Sequence, residues 1–230
     1  MVSVGNNFFY TKSLPCSLWF FDKGKKEDLQ DRVLFIDARN YYTVVDRTLN
    51  EWSEWQLKNL NAIVWLYRGE MNKYQALVEE YADVLGGRDF PAMLEILEKQ
   101  KAQLATEGKD AIAAAPRNEK KSIEAKFAQK IAQAEESIQI AKEALWLTEK
   151  FGEGEYTDIP GLCKVATLEE IEAKGYSLTP GAYVGVAPTE DDGVDFHQRM
   201  TEIHQELRSL QAESNHLMET ISKNWEEMGL

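Results

Sequence analysis

The sequence predicts a mainly α fold with a short β pair near the N-terminus. Two observations carry this. Apolar residues recur at three- and four-residue spacing across residues 90–148 and again across 196–228, and the continuous apolar runs that read as strands fall in the first forty residues. The composition sets the outer bounds. The chain has 230 residues, a formal net charge of -13, 43% hydrophobic and 28% charged residues. It is too apolar for a wholly disordered chain and too charged for a membrane protein. No stretch approaches the ~20 apolar residues that span a bilayer, and the start, MVSVGNNFFYTKS, lacks a basic region followed by an apolar one. Cys16 and Cys163 form no CxxC pair, so free thiols and a cytoplasmic setting are expected. The acidic balance argues against a large self-sufficient DNA-binding surface, which needs clustered Lys and Arg.

Residues 14–21 (LPCSLWFF) and 33–38 (VLFIDA) read as two strands joined by a polar loop, an antiparallel pair with both faces covered. Ser53 with Gln56 predicts a capping box opening a helix with Leu57, Leu60, Val64 and Tyr67 on one face, interrupted at Gly69. A second helix carries Met71, Tyr74, Leu77, Val78 and Tyr81 and stops at Gly86 and Gly87. Phe90, Leu94, Leu97 and Leu104 mark a third. The stretch EGKDAIAAAPRNE is its break, and a longer helix follows with Ile123, Phe127, Ile131, Ala134, Ile138, Ala141, Leu145 and Thr148. Two helices separated by a short break predict an antiparallel hairpin, which the alanines allow to pack closely.

Residues 152–188 are rich in Gly and Pro and read as irregular. Within them Thr167 and Glu170 predict a second capping box over a short helix, and residues 182–186 (AYVGV) a short strand. EDDG then leads into the last helix. Its Phe196, Met200, Ile203, Leu207, Leu210, Ser214, Leu217, Ile221 and Met228 form a coiled-coil-like seam. About 34 residues at 1.5 Å each span roughly 50 Å, so the seam asks for partner helices. Three segments result: 1–50, 51–151 and 152–230.

Catalytic signatures are missing: GxxxxGK[ST], HExxH and GxSxG do not occur, and the one GxG, at Gly152 and Gly154, follows a helix rather than a strand. His197 and His204 flank the seam and read as solvated, with no third ligand placed by spacing; no metal site is expected. The aromatic run Phe8, Phe9, Tyr10 precedes a strand on a loop. Such aromatics either stack on a base or plug a sheet end.

The run NNFFYTKSLPCSLWFFDK resembles the late segment of adenine-specific DNA methyltransferases, close to N-x-F-Y-x-T-x-I-P-x-x-L-W-F. With VLFIDAR (33–39), VVDRT (44–48), EWSEWQLKNLNAIVWLYRGE (51–70) and the stretch 151–187, it resembles the C-terminal third of the modification (M) subunit of type I restriction-modification systems. Residues 90–150 resemble the variable helical region that the family carries there. The resemblance implies that residues 1–50 are the end of the catalytic domain, 51–151 a helical region and 152–230 a linker with an assembly helix. It implies a complex of two M subunits and one specificity (S) subunit, joined by a restriction (R) subunit, with DNA reached through the complex. The M subunit's C-terminal helices pack on S, which points to Phe196, Met200, Ile203, Leu207, Leu210, Leu217 and Ile221 as the subunit interface.

The family's catalytic motif is [DNS]PP[YF], and its S-adenosylmethionine site is a Gly-rich turn after the first strand. Here the six prolines, at 15, 91, 116, 160, 180 and 188, include no adjacent pair. The expectation is a C-terminal piece of an adenine methyltransferase with no catalytic residues and no cofactor site of its own, S-adenosylmethionine belonging to the intact subunit. Only Phe9 and Tyr10 map near the flipped base, and Thr11 and Lys12 replace the usual Gly-Thr there. A free-standing coiled-coil interaction module, self-associating through the seam, is the alternative.

Overall fold

The computed structural model describes residues 1–9, 13–116, 118–187 and 196–227. The described chain divides into two units, residues 1–187 and residues 188–230.

The first unit is built on a four-stranded sheet. Its strands are β1 (Val2–Val4), β2 (Cys16–Leu18), β3 (Arg32–Ala38) and β6 (Cys163–Thr167), in the order β2-β1-β3-β6. A separate ribbon pairs β4 (Thr43–Val44) with β5 (Asn50–Glu51). The expected pairing of 14–21 with 33–38 is not made. Val2–Val4 lies between them, antiparallel to β2 and parallel to β3. The first run is a strand for only three residues at the sheet edge. Its flanks Leu14, Trp19, Phe20 and Phe21 are exposed, Phe21 at 86%, so its faces are not covered as expected. The second run is buried on both faces. Leu34, Ile36 and Ala38 face one core and Phe35 the other, as a continuous apolar strand requires.

Helices α1 (Glu54–Tyr67), α2 (Met71–Leu85), α3 (Phe90–Ala114) and α4 (Lys120–Phe151) follow. The capping box at α1 is formed: Gln56 N donates to Ser53 Oγ at 3.2 Å and Ser53 N to Gln56 Oε1 at 3.0 Å. The buried face of α1 differs from the one expected. Leu57 is exposed, and Gln56, Asn59, Leu60, Ile63 and Leu66 are buried. Two polar residues claim interior positions because they have partners there. Helix α2 stops at Gly86, whose φ of 79° suits a residue without Cβ. Asp89 caps α3, accepting from Ala92 N at 3.1 Å. Helix α3 does not break at residue 107; it runs through the alanines to Ala114, since neither Gly108 nor the Ala run stops a helix that has a packing partner.

Helices α3 and α4 form the antiparallel hairpin, with Gly108 buried against Phe127. The buried side chains of α4 are confined to its last turns, from Ile138 to Phe151. Residues 120–137 therefore stand clear of the core as an arm of about 27 Å. The main core joins β3, α1, α2 and the base of α4 through Ile36, Ile63, Tyr74, Tyr81, Ala144 and Leu147.

The Gly- and Pro-rich stretch contributes β6, antiparallel to β3 with Ile36 opposite Cys163. The second capping box is present at α5 (Leu168–Ala173). Residues 182–186 are not a strand. Pro180 leads into a helical turn, α6 (Gly181–Val184), which stacks Tyr183 on Phe35 at 4.0 Å and closes the second core.

The second unit contributes one described element, α7 (Phe196–Glu227), of 32 residues. The EDDG segment before it lies outside the described residues.

Candidate functional site

Three places in the chain hold side chains that structure alone does not account for. The first is the end of the sheet where the parallel strands β1 and β3 finish side by side, Val4 opposite Ala38. Ligands of open sheets gather at such carboxyl ends. The loop after β1 is held there. Gly5 passes so close to β3 that a Cβ would sit 2.6 Å from Arg39 O. Asn7 adopts a left-handed φ of 61°. Asn50 clamps the loop twice, its backbone N donating to Asn7 O at 2.8 Å and its Nδ2 to Asn6 O at 2.9 Å. Phe8 packs on Trp52 at 4.8 Å and edge-on to Tyr42 at 5.9 Å. Phe9 is left 48% exposed. The arrangement anchors one ring and presents its neighbour to solvent, a geometry able to stack on a flat partner. Tyr10, Thr11 and Lys12 lie outside the described residues. Beside the loop, Arg39 Nη2 donates to Asp37 Oδ2 at 2.6 Å, and this carboxylate pushes the guanidinium pKa up.

The second place is a buried carboxylate. Glu143, on α4, is 5% exposed, and among the described residues no ion pair is made to it. Gln56 Nε2 donates to its Oε1 at 3.1 Å, and Tyr41 Oη and Asn59 Nδ2, the latter at 3.3 Å, donate to Oε2. Asn59 Oδ1 accepts in turn from Tyr81 Oη at 2.9 Å. Burial pushes the Glu143 carboxyl above its usual range, opposed by these three donors. It also drives the Tyr41 and Tyr81 hydroxyls upward, as the neighbouring Glu143 charge does. The cluster ties the base of the arm to α1, α2 and the segment before β4.

The third place is the seam of α7. Met200, Ile203, Leu207, Leu210, Leu217 and Ile221 are all exposed, Leu207 at 58%. Only the backbone of Phe196 belongs to the described residues.

Cys16 is half-buried at the sheet edge, and Cys163 is buried, with burial pushing its thiol up to about 11. Two open grooves, of about 330 and 390 Å³, lie at the opposite end of β3. They are lined by Arg32 and Thr167 with Tyr67, Tyr156 and Asp158 in one, and Glu27, Asp28 and Asp31 in the other. Among the described residues no helix is long and apolar enough to cross a membrane.

Sequence reasoning singled out Phe9 and the seam and did not single out Asn50, Arg39 or Glu143. The role of Asn50 depends on a hairpin turn that returns it to the loop, and Glu143 lies in a helix whose other acids are solvated.

The N-6 DNA Methylase family model matches residues 1–85 and 70–192. The type I restriction enzyme MjaIX methylase subunit of Methanocaldococcus jannaschii is 26% identical over the whole chain, which spans 26% of that protein. The type I restriction enzyme HindI methylase subunit of Haemophilus influenzae is 45% identical over 32% of the chain and 17% of its own length. The chain thus spans about a quarter or less of the relatives it matches. No solved structure matches it. The matched regions reach from β1 past α6, covering the sheet, the clamped loop and the arm, and the chain belongs to the N-6 DNA methylase family.

Proposed function

We propose that this chain is the C-terminal part of the methylase subunit of a type I restriction-modification enzyme, and that its work is assembly with the specificity subunit. The observation that carries the reading is the exposed stripe on α7: six large apolar residues that, with Ser214, fall in alternating three- and four-residue steps. Each fully buried Leu or Ile is worth ~1.5–3 kcal/mol, so a wet stripe of this length is a strong drive toward partner helices. Ser214 interrupts the seam and sets register, as polar seam residues do. The second methylase subunit and the restriction subunit join the same complex, in the cytoplasm, and DNA is reached through it.

In this reading adenine methylation is carried out by the intact subunit, and S-adenosylmethionine is bound outside this chain. The clamped turn after β1 supports this. Gly5 lies against β3 and Phe8 packs beside Trp52, so the described part of the turn after β1 is filled by the chain's own side chains. Phe9, presented at the same sheet end, is suited to lie near the target base. No catalytic step is assigned to these residues.

The test is a double substitution, Leu207→Asp with Leu210→Asp. Co-purification with the specificity subunit should be abolished while the helical circular dichroism of residues 1–187 persists. Wild-type recovery of the specificity subunit would remove the seam from the interface. If the variant instead lost only self-association, measured by sedimentation, the free-standing interaction module would be the better reading.

A further inference from the structure

We propose that the outer end of the α3–α4 arm contacts the phosphate backbone of duplex DNA. Residues 109–130 carry six Lys or Arg against three Asp or Glu, whereas the rest of the chain carries 20 against 36. A stretch of net positive charge in an acidic chain is thus placed at the end of an arm. Lys109, Lys121, Lys126 and Lys130 are exposed and Lys120 is half-buried. Among the described residues none of these five forms an ion pair, and Lys130 lies 5.5 Å over the Phe127 ring. Nearer the base the pattern changes. Lys99 pairs with Glu95, Lys101 with Glu135 at 2.7 Å, and Lys142 faces Glu98 at 3.9 Å. The lysines of the lower arm are satisfied within the arm, and those of the outer end are not.

Their placement is also unfavourable for the isolated helix. Lys120 and Lys121 occupy the first turn of α4, where the helix dipole favours acids; the acid beside them is the N-cap Glu119, whose side chain makes no cap hydrogen bond. Lys126 and Lys130 are four residues apart and repel each other. An anion at the tip relieves both. Asp110, Glu119 and Glu124 lie among the lysines and reduce the positive potential without cancelling it.

Arm length gives this charge its reach. The unburied part of α4 extends about 27 Å, several times the ~8 Å Debye length at physiological salt. The acidic body therefore does not screen the tip. Unpaired flexible ammonium groups provide non-specific phosphate contact, which matches a chain that carries no base-reading motif. The choice of duplex DNA rests on membership in the DNA methylase family. The seam on α7 uses none of these lysines, so co-purification with the specificity subunit fails or succeeds independently.

The experiment is fluorescence anisotropy of the full chain with a short labelled duplex of arbitrary sequence, titrated with salt. The combined variant Lys120→Gln, Lys121→Gln, Lys126→Gln, Lys130→Gln should lose about tenfold or more in affinity at low salt. Its log–log salt slope should flatten by ~0.9 for each phosphate contact removed. Gln keeps helix propensity close to that of Lys, and the matching Lys→Arg variant, with charge retained, should bind as wild type does. Lys101→Gln with Lys142→Gln should change nothing. The proposal is overturned if the wild-type chain does not bind, if the four-site variant binds equally well, or if the Lys101 and Lys142 control loses as much. It is likewise overturned if polyglutamate competes as well as DNA, which would assign the tip to an acidic protein face.

Discussion

Glu143 is an acid in a place where its charge is costly. It has lost its water, three donors replace part of what water supplied, and among the described residues no ion pair is made to it. Its folded pKa lies above the ordinary glutamate value. In the interval between those two values the folded chain holds more protons than the unfolded one, so stability contributed at this position falls as pH rises through it. Below the ordinary value near 4.5 the contribution is fully present. The stability advantage of wild type over Glu143→Gln, measured by urea unfolding, should therefore be largest at or below about pH 4.5. It should shrink as pH rises, by at most ~1.4 kcal/mol per pH unit. An advantage that grows with pH would mean that the charged form is the one the donors select. At this scale the sequence was partly legible. Phe8 and Phe9 stood out as a loop pair, but which ring anchors and which is presented depends on Trp52 and Tyr42, more than thirty residues away.

The helices were largely readable because their signals are local. Both capping boxes are formed, and α2 ends at its glycine pair. The strands were not. Pairing of β1 with β3 in parallel, and the return of residues 163–167 to complete the sheet, are contacts between distant segments that short runs do not announce. The buried face of α1 lies about one residue from the stripe expected from Leu57, Leu60, Val64 and Tyr67, because Gln56 and Asn59 turn inward to Glu143. Within the arm, Gly108 sets how closely the helices approach. A Cβ there would lie 3.1 Å from Phe127 Cγ. Alanine needs only a small shift and gains helix propensity, so Gly108→Ala should be nearly neutral. Gly108→Val adds branches with no room and should cost the arm about 1–3 kcal/mol. Hydrogen exchange should then accelerate in residues 104–131 and stay unchanged in α1 and α2. Equal protection throughout would show that the helices can separate without penalty.

For the whole molecule, the core lies within residues 1–187. A chain ended at Ala187 should therefore unfold in one cooperative transition, with a thermal midpoint within a few degrees of the full chain's. A broad, non-cooperative melt would place part of the core in residues 188–230. The mainly α class was legible from periodicity, and the resemblance to type I methylase subunits pointed to the family that the comparisons established. The division into 1–187 and 188–230 was not, since a five-residue strand late in the chain binds residues 152–187 to the N-terminal sheet. The arm's construction also bears on inheritance. Every buried side chain of α4 lies within its last turns, so folding places no demand on the outer part except pairing with its own other half. Insertions or deletions there, taken in matching turns on both helices, leave the core intact. Related chains are free to differ in reach while keeping the same body, and this stretch is where lineages can diverge in length at the least cost to folding.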